Sequence, residues 1–464
     1  MLDPHSPLSV PALPSLEDWR QLVERGLDGA DIGSLRSYTR DGVAIEPLYP
    51  ARSDVDPLPG RAARRWSIVQ IIDDPDPERA NEQALDDSRG ADGLGLRFAG
   101  SPSAGSDGLP PTDEALRFVL QDIDLAKIGV RVDPHHEIPA IARWLTHLVG
   151  RRGVAPERAN ISFGLDPIGL MAFHGGAEPP SGPEWASCFG ELQTRAFGHR
   201  LIALDGRVFH EAGATEAQEL AANLAASVWW LRELERVGVS ADIALPYFEA
   251  IVAVDADQFV SIAKLRALRL LWAWLQELCG AALTALSVHA ETSRRMLTRA
   301  DPHTNLLRMT ISACAAGVGG ADSLAILPHT AALGRPDRSA RMLARNVQHL
   351  LLEEAQVDRV SDPAAGSGAV EGFTDALAER AWQEFQTIEQ EGGIIESLRT
   401  GAFAKRVADA RETLKRGVAD GLLPLVGATV YRNGGEQLRD VQEEIPAAGP
   451  FAPIRLEAFA EAGF

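Results

Sequence analysis

Between residues 66 and 354 the chain alternates short apolar, β-rich runs with longer amphipathic stretches, and it does so eight times. The runs are 66–72, 93–98, 127–132, 160–164, 200–204, 250–254, 283–289 and 323–327. Helical stretches follow at 77–88, 113–121, 137–148, 215–237, 257–278, 302–316 and 339–354. The fourth connection, 166–198, is long and rich in Gly and Pro, with a helix expected near 184–197. Near-continuous apolar strands separated by helices specify a parallel sheet buried on both faces. Eight such units over roughly 290 residues fit a (β/α)8 TIM barrel better than an open doubly wound sheet. Gly93-Leu94-Gly95 begins a dinucleotide fingerprint but Phe98 stands where its third glycine belongs.

The flanks divide the chain into an N-terminal arm at 1–60, the barrel at 61–370 and a helical C-terminal segment with a tail at 371–464. Pro4, Pro7, Pro11 and Pro14 punctuate the arm before a short helix at 16–25, and its apolar periodicity is too weak for a core of its own. It is expected to lie on another surface, wrapping a partner, or to stay mobile. Helices are expected at 375–389 and 403–418, a last strand at 422–431, and a Pro- and Ala-rich tail from 445.

A net charge of −20 argues against nucleic acid or an anionic membrane as partner. No signal peptide opens the sequence and no apolar run is long enough to span a bilayer, so a cytoplasmic location is expected. Cys188, Cys279 and Cys314 are expected to be buried small hydrophobes.

Chemistry-bearing residues are sparse. Asp133-Pro134-His135-His136-Glu137 is the tightest metal-capable cluster, but adjacent histidines are expected to point to different sides, and a loop with a helix N-terminus explains it better. Lys264, Arg266 and Arg269 share a helix without sharing a face. His289, expected to end the seventh strand, and Glu291 form the best generic acid–base pair, with His210 and Glu211 near enough to join them at the mouth.

Longer motifs are more specific. Glu211-Ala212-Gly213-Ala214-Thr215, the run 258–272 containing Ala263-Lys264-Leu265-Arg266, Leu297-Thr298-Arg299-Ala300-Asp301-Pro302, Ser339-Ala340-Arg341 with Ala344-Arg345-Asn346, and Asp362-Pro363-Ala364-Ala365-Gly366-Ser367 occur in order. Over about residues 39–431 they resemble the cobalamin-dependent acyl-CoA mutases, the methylmalonyl-CoA mutase family, whose acyl-CoA domain is a (β/α)8 barrel.

Where that family carries chemistry, this chain departs from it. The family's Tyr-His pair corresponds to Arg207 and Val208, and its Thr-Ile-Arg-Gln-Tyr to Ser67-Ile68-Val69-Gln70-Ile71, so a CoA-binding Arg is Val69 and a Tyr that helps homolysis is Ile71. A Gly-Trp pair becomes Arg294-Arg295, the His of Ser-Leu-His-Thr-Asn becomes Ala325, and the Gln and Arg after the fourth strand give way to Gly164-Leu165-Asp166-Pro167. The upstream Phe-Thr-Arg-Gly reads Arg61-Ala62-Ala63-Arg64. The cobalt-ligating Asp-x-His-x-x-Gly is not matched at Asp133 or Asp301, and no flavodoxin-like cobalamin-binding domain is expected.

The resemblance therefore implies no catalytic, cofactor or metal residues in this chain. It implies the small, non-catalytic subunit of a heterodimeric methylmalonyl-CoA mutase, with adenosylcobalamin in the catalytic large subunit. The alternative is an active acyl-CoA mutase chain that uses a separate cobalamin-binding subunit.

Overall fold

The structure, a computed structural model, describes residues 15–58, 61, 65–105, 107–176, 178–198, 200–432 and 449–461. The prolines at 4–14, the motif positions 62–64, and residues 445–448 and 462–464 of the expected tail lie outside these residues.

All eight expected strands form. They are β1 (Ser67–Ile72), β2 (Gly93–Leu96), β3 (Gly129–Val132), β4 (Ile161–Ser162), β5 (Ile202–Asp205), β6 (Phe248–Val254), β7 (Ser287–Thr292) and β8 (Ser323–Ala325). Each pairs in parallel with its sequence neighbour except β4 with β5, and β8 returns to β1 with Ser323 beside Ser67. Between β4 and β5 the ring is completed by a parallel bridge from Leu165 to Ile202 and by Phe163 N–H donating to Arg200 O at 3.0 Å. This is a (β/α)8 barrel.

The helices start where the sequence supplies caps. Asp76 and Thr215 accept backbone N–H groups of the helices Pro77–Asp87 and Glu216–Arg236, and Thr215 forms a reciprocal box with Gln218. One large apolar core joins strands and surrounding helices and extends to Phe385, Phe403 and Phe451.

The helix Leu16–Gly26 is closed by a Ser15–Asp18 capping box yet buries no residue. Residues 37–58 rest on this chain itself. A two-stranded ribbon, Ser37–Tyr38 with Ala44–Ile45, presents Asp41, which accepts Ala217 N–H at 3.1 Å, and Arg40, which donates to Ala214 O. Tyr49 meets Phe373 edge-on at 5.6 Å, and the close approach of Pro50 O leaves no room for a Cβ at Gly368.

Helix Gly368–Gln390 packs along both Gln258–Leu278 and Glu216–Arg236. The strand expected at 422–431 is instead a turn. Thr429 Oγ1 accepts Leu425 N–H at 2.8 Å and Val426 bridges Val430, so the segment satisfies its own backbone rather than a neighbour's. Cys279, expected buried, is exposed, because it caps a helix end that nothing covers; Cys188 is buried and Cys314 half-buried.

Candidate functional site

A barrel of this kind presents its chemistry at the C-terminal ends of the strands. Here that level is filled by charge. Arg97, just beyond β2, places Nε 2.8 Å from Asp133 Oδ2 and Nη2 2.8 Å from Glu291 Oε2. Arg207 reaches Glu291 Oε2 at 2.7 Å, Asp205 Oδ2 at 2.7 Å and Asp133 Oδ1 at 3.4 Å. All five side chains are buried. Burial works against ionisation of Asp133, but Arg207 and Arg97 outweigh it and hold that carboxyl well below the usual range.

A second polar layer lies beneath. Arg131 pairs with Glu249 at 2.7 Å, and Ser162 Oγ donates to the same carboxylate at 2.8 Å. His289 Nδ1 lies 2.8 Å from Ser323 Oγ. Burial, followed by Arg131 and Arg207, pushes this imidazole well below its ordinary pKa, so it stays neutral. β2, which pairs with the strand of Arg131, contributes glycines, and the space is taken by Val69 and Ile71. A Cβ at Gly95 would lie 2.9 Å from Ile71 Cδ1.

The acid–base grouping expected from sequence does not assemble. β7 runs on to Thr292, so His289 sits in mid-strand, below the level of Glu291 rather than at the strand end. Glu291 is committed to two guanidinium groups. His210 is fully buried in the helix Arg207–Glu211, with Nε2 2.9 Å from Ser293 Oγ and Nδ1 3.3 Å from Glu219. Glu211 accepts the backbone N–H groups of Arg294 at 2.9 Å and Arg295 at 2.8 Å, which fixes the loop after β7. His210 and Glu211 therefore support the mouth from outside. Val208 and Ala325 are apolar and buried.

Outside the barrel wall a separate network ties the helices together. Lys264 Nζ is held by Glu216 and by Glu219, the latter at 2.7 Å. Arg295 joins it, donating to His210 O at 2.7 Å, pairing with Glu216 at 3.2 Å and with Asp255 at 3.3 Å. His210, Glu216 and Glu219 form the metal-capable group among the described residues. An ammonium already bridges its two carboxylates. Arg266 pairs with Asp362 and Glu371, and Arg269 with Asp322, so the three cations of that helix serve different neighbours.

Sequence reasoning did not anticipate the cover over this end. Residues 449–461 cross it, with Ile454 N–H donating to Glu211 O at 2.7 Å and Leu456 N–H to Arg295 O at 3.0 Å. Glu457 accepts Arg299 N–H at 2.6 Å and Ala300 N–H at 2.9 Å, while Phe451 packs on Phe209 at 5.3 Å. The network partners Arg97 and Arg131 were also missed. Their signal was present, since a lone cation inside an apolar strand requires a carboxylate at the same level.

The polar groups at this mouth are taken up within the chain. Val208 offers no donor to a carbonyl, and the Arg207 guanidinium beside it is bound to Asp205 and Glu291 of this chain. His135 is buried with both nitrogens used: Nε2 faces Ala99 O at 2.9 Å, and Nδ1 accepts Glu137 N–H at 3.0 Å. The expectation that His135 and His136 diverge is corrected, because their rings lie 4.1 Å apart.

The sequence matches the family model described as methylmalonyl-CoA mutase over residues 59–448. It is 37% identical to the methylmalonyl-CoA mutase small subunit of Streptomyces virginiae, over 94% of this chain and 73% of that protein. It is 34% identical to the probable methylmalonyl-CoA mutase small subunit of Mycobacterium tuberculosis, over 98% of this chain and 77% of the relative. Identity to the large subunit of the Streptomyces virginiae enzyme is 28%, over 92% of this chain and 63% of that protein.

Proposed function

From the premise that the chain belongs to the methylmalonyl-CoA mutase family, we propose that it is the non-catalytic small subunit of a heterodimeric, adenosylcobalamin-dependent mutase. The catalytic large subunit carries the cofactor and converts methylmalonyl-CoA to succinyl-CoA, and this chain stabilises it. The observation that carries the reading is the mouth, where Arg97, Arg207, Asp133, Asp205 and Glu291 satisfy one another. Carbon-skeleton rearrangement needs fixed donors to the thioester in a site closed to water. Val69, Ile71, Val208 and Ala325 supply none of them.

The N-terminal helix Leu16–Gly26 is the element of this chain that contacts the partner. Its cap is complete, yet Leu16 and Leu22 remain exposed. Among the described residues no helix is long and apolar enough to cross a membrane, in keeping with a cytoplasmic complex. Co-expression with a large-subunit chain tests the proposal. A one-to-one complex should co-purify and be weakened by Leu22→Asp. A chain that elutes alone beside an intact large subunit would overturn the heterodimer.

A further inference from the structure

At the end of the barrel opposite the charged mouth, the N-terminal ends of the strands surround a small cavity of about 20 Å³. Its wall is made of strand starts: Ser67 of β1, Gly93 of β2, Gly129 of β3 and Ser323 of β8, with Arg200 just ahead of β5. Side chains at the two glycines would be crowded, since a Cβ at Gly129 would lie 3.0 Å from Asn160 Nδ2 and one at Gly93 3.3 Å from Gly129 O. Arg200 differs from the other guanidinium groups of the barrel interior. Arg97, Arg131 and Arg207 each pair with a buried carboxylate. The Arg200 guanidinium makes no hydrogen bond or ion pair among the described residues.

The neighbouring carboxylates are engaged elsewhere. Glu249 accepts from Arg131 at 2.7 Å and from Ser162 Oγ at 2.8 Å. Asp322 Oδ2 accepts from Arg269 at 3.0 Å and from Val288 N–H at 2.8 Å. Asp92 lines the cavity too, and its Oδ2 accepts Ile68 N–H at 2.8 Å. Burial lowers the Arg200 pKa, with Glu249 opposing the shift, yet a guanidinium stays charged in a protein. The cation therefore faces the cavity without an acceptor of its own. A site needs roughly 10–15 Å³ to take one water-sized particle, so this one has room for a single such occupant. Phosphate, sulfate and organic carboxylates are too large for it. Water fits but brings no charge, whereas a monatomic anion supplies both size and charge. We infer that the cavity is a halide site, a chloride ion held by the Arg200 guanidinium with the hydroxyl groups of Ser67 and Ser323 beside it. His289 Nδ1 lies 2.8 Å from Ser323 Oγ, and an imidazole protonated on Nδ1 leaves the Ser323 O–H to donate to the ion. The ion then neutralises the one interior guanidinium that no carboxylate meets.

Crystals of the full chain grown in sodium bromide test the assignment, with an anomalous bromide peak expected in this cavity beside Arg200. In solution, the chain should broaden the chloride-35 NMR line saturably. Added bromide should narrow the line again, and sulfate at equal ionic strength should not. Arg200→Gln should weaken chloride binding about tenfold, the loss of one charge-assisted contact. Arg200→Lys keeps the charge and should recover part of the affinity, a rescue that a merely damaged fold would not produce. The bromide position and the exclusion of sulfate are read on the parent chain, so they hold whether or not the variants fold. The inference is overturned by a cavity that takes no bromide, by bromide found only on the outer surface, by sulfate competing as well as bromide, or by a folded Arg200→Gln chain that binds chloride like the parent.

Discussion

Two buried ionic networks lie on either side of the wall at β5 and β7, and they differ in what the sequence retains. The outer one joins Glu216, Glu219, Lys264, His210 and Arg295 and is built largely on family motifs, with the Glu-Ala-Gly-Ala-Thr run leading into it and Lys264 inside the Ala-Lys-x-Arg helix. The inner one joins Arg97, Arg207, Asp133, Asp205 and Glu291, and includes positions where the family motif is lost. Both are buried and paired. The outer network locks two long helices and a loop to one another, whereas the inner one occupies the space where a ligand would need open donors.

The largest effect is expected at Lys264. Lys264→Met leaves Glu216 and Glu219 buried with less compensation and should cost about 3–5 kcal/mol in denaturant unfolding. Arg207→Met should cost less, about 3 kcal/mol, because Arg97 still faces Asp133 and Glu291. Pairing it with Glu291→Gln should recover part of that loss, since a removed ion pair is cheaper than a broken one. Equal losses at the two sites would erase the distinction between framework and filler.

A smaller, pH-dependent effect belongs to Asp166, which is buried beside Asp205. Burial, then Asp205, pushes its carboxyl up to about 7. An unfolded aspartate titrates near 3.9, so between these values the native state holds the extra proton. Stability should therefore fall as pH rises from about 4 through about 7. Asp166→Asn keeps an oxygen for the Ile168 and Gly169 N–H groups and should flatten this part of the stability–pH curve. An unchanged slope would place its origin elsewhere. The smallest effect is at Thr215, where Thr215→Ala removes one half of the capping box and should cost about 1 kcal/mol, read as a lowered melting temperature.

The barrel was legible because period and length of the apolar runs define strand and helix locally. All eight strands form near the expected positions, although β7 starts four residues later than expected, at Ser287, and extends three residues beyond His289. That extension changes function, because it moves His289 from the rim into a lower layer. The correspondence of Arg207 and Val208 to the family's Tyr-His pair was read from the sequence resemblance. What Arg207 does instead was not, because its partners Asp133 and Glu291 are 74 and 84 residues away. Pairing at such separations is set by closure of the barrel and not by any local pattern. The 449–461 strap was hidden for the same reason. Its contacts to Glu211 and Arg295 are long-range backbone bonds that leave no trace in composition.

Turnover by the purified chain alone tests the central claim most directly. With methylmalonyl-CoA and added adenosylcobalamin, succinyl-CoA formation should not exceed that of a protein-free control, and adding the large subunit should start it. Succinyl-CoA produced by this chain alone, and abolished by Arg207→Met, would show that the charged mouth is a working site and contradict the non-catalytic reading.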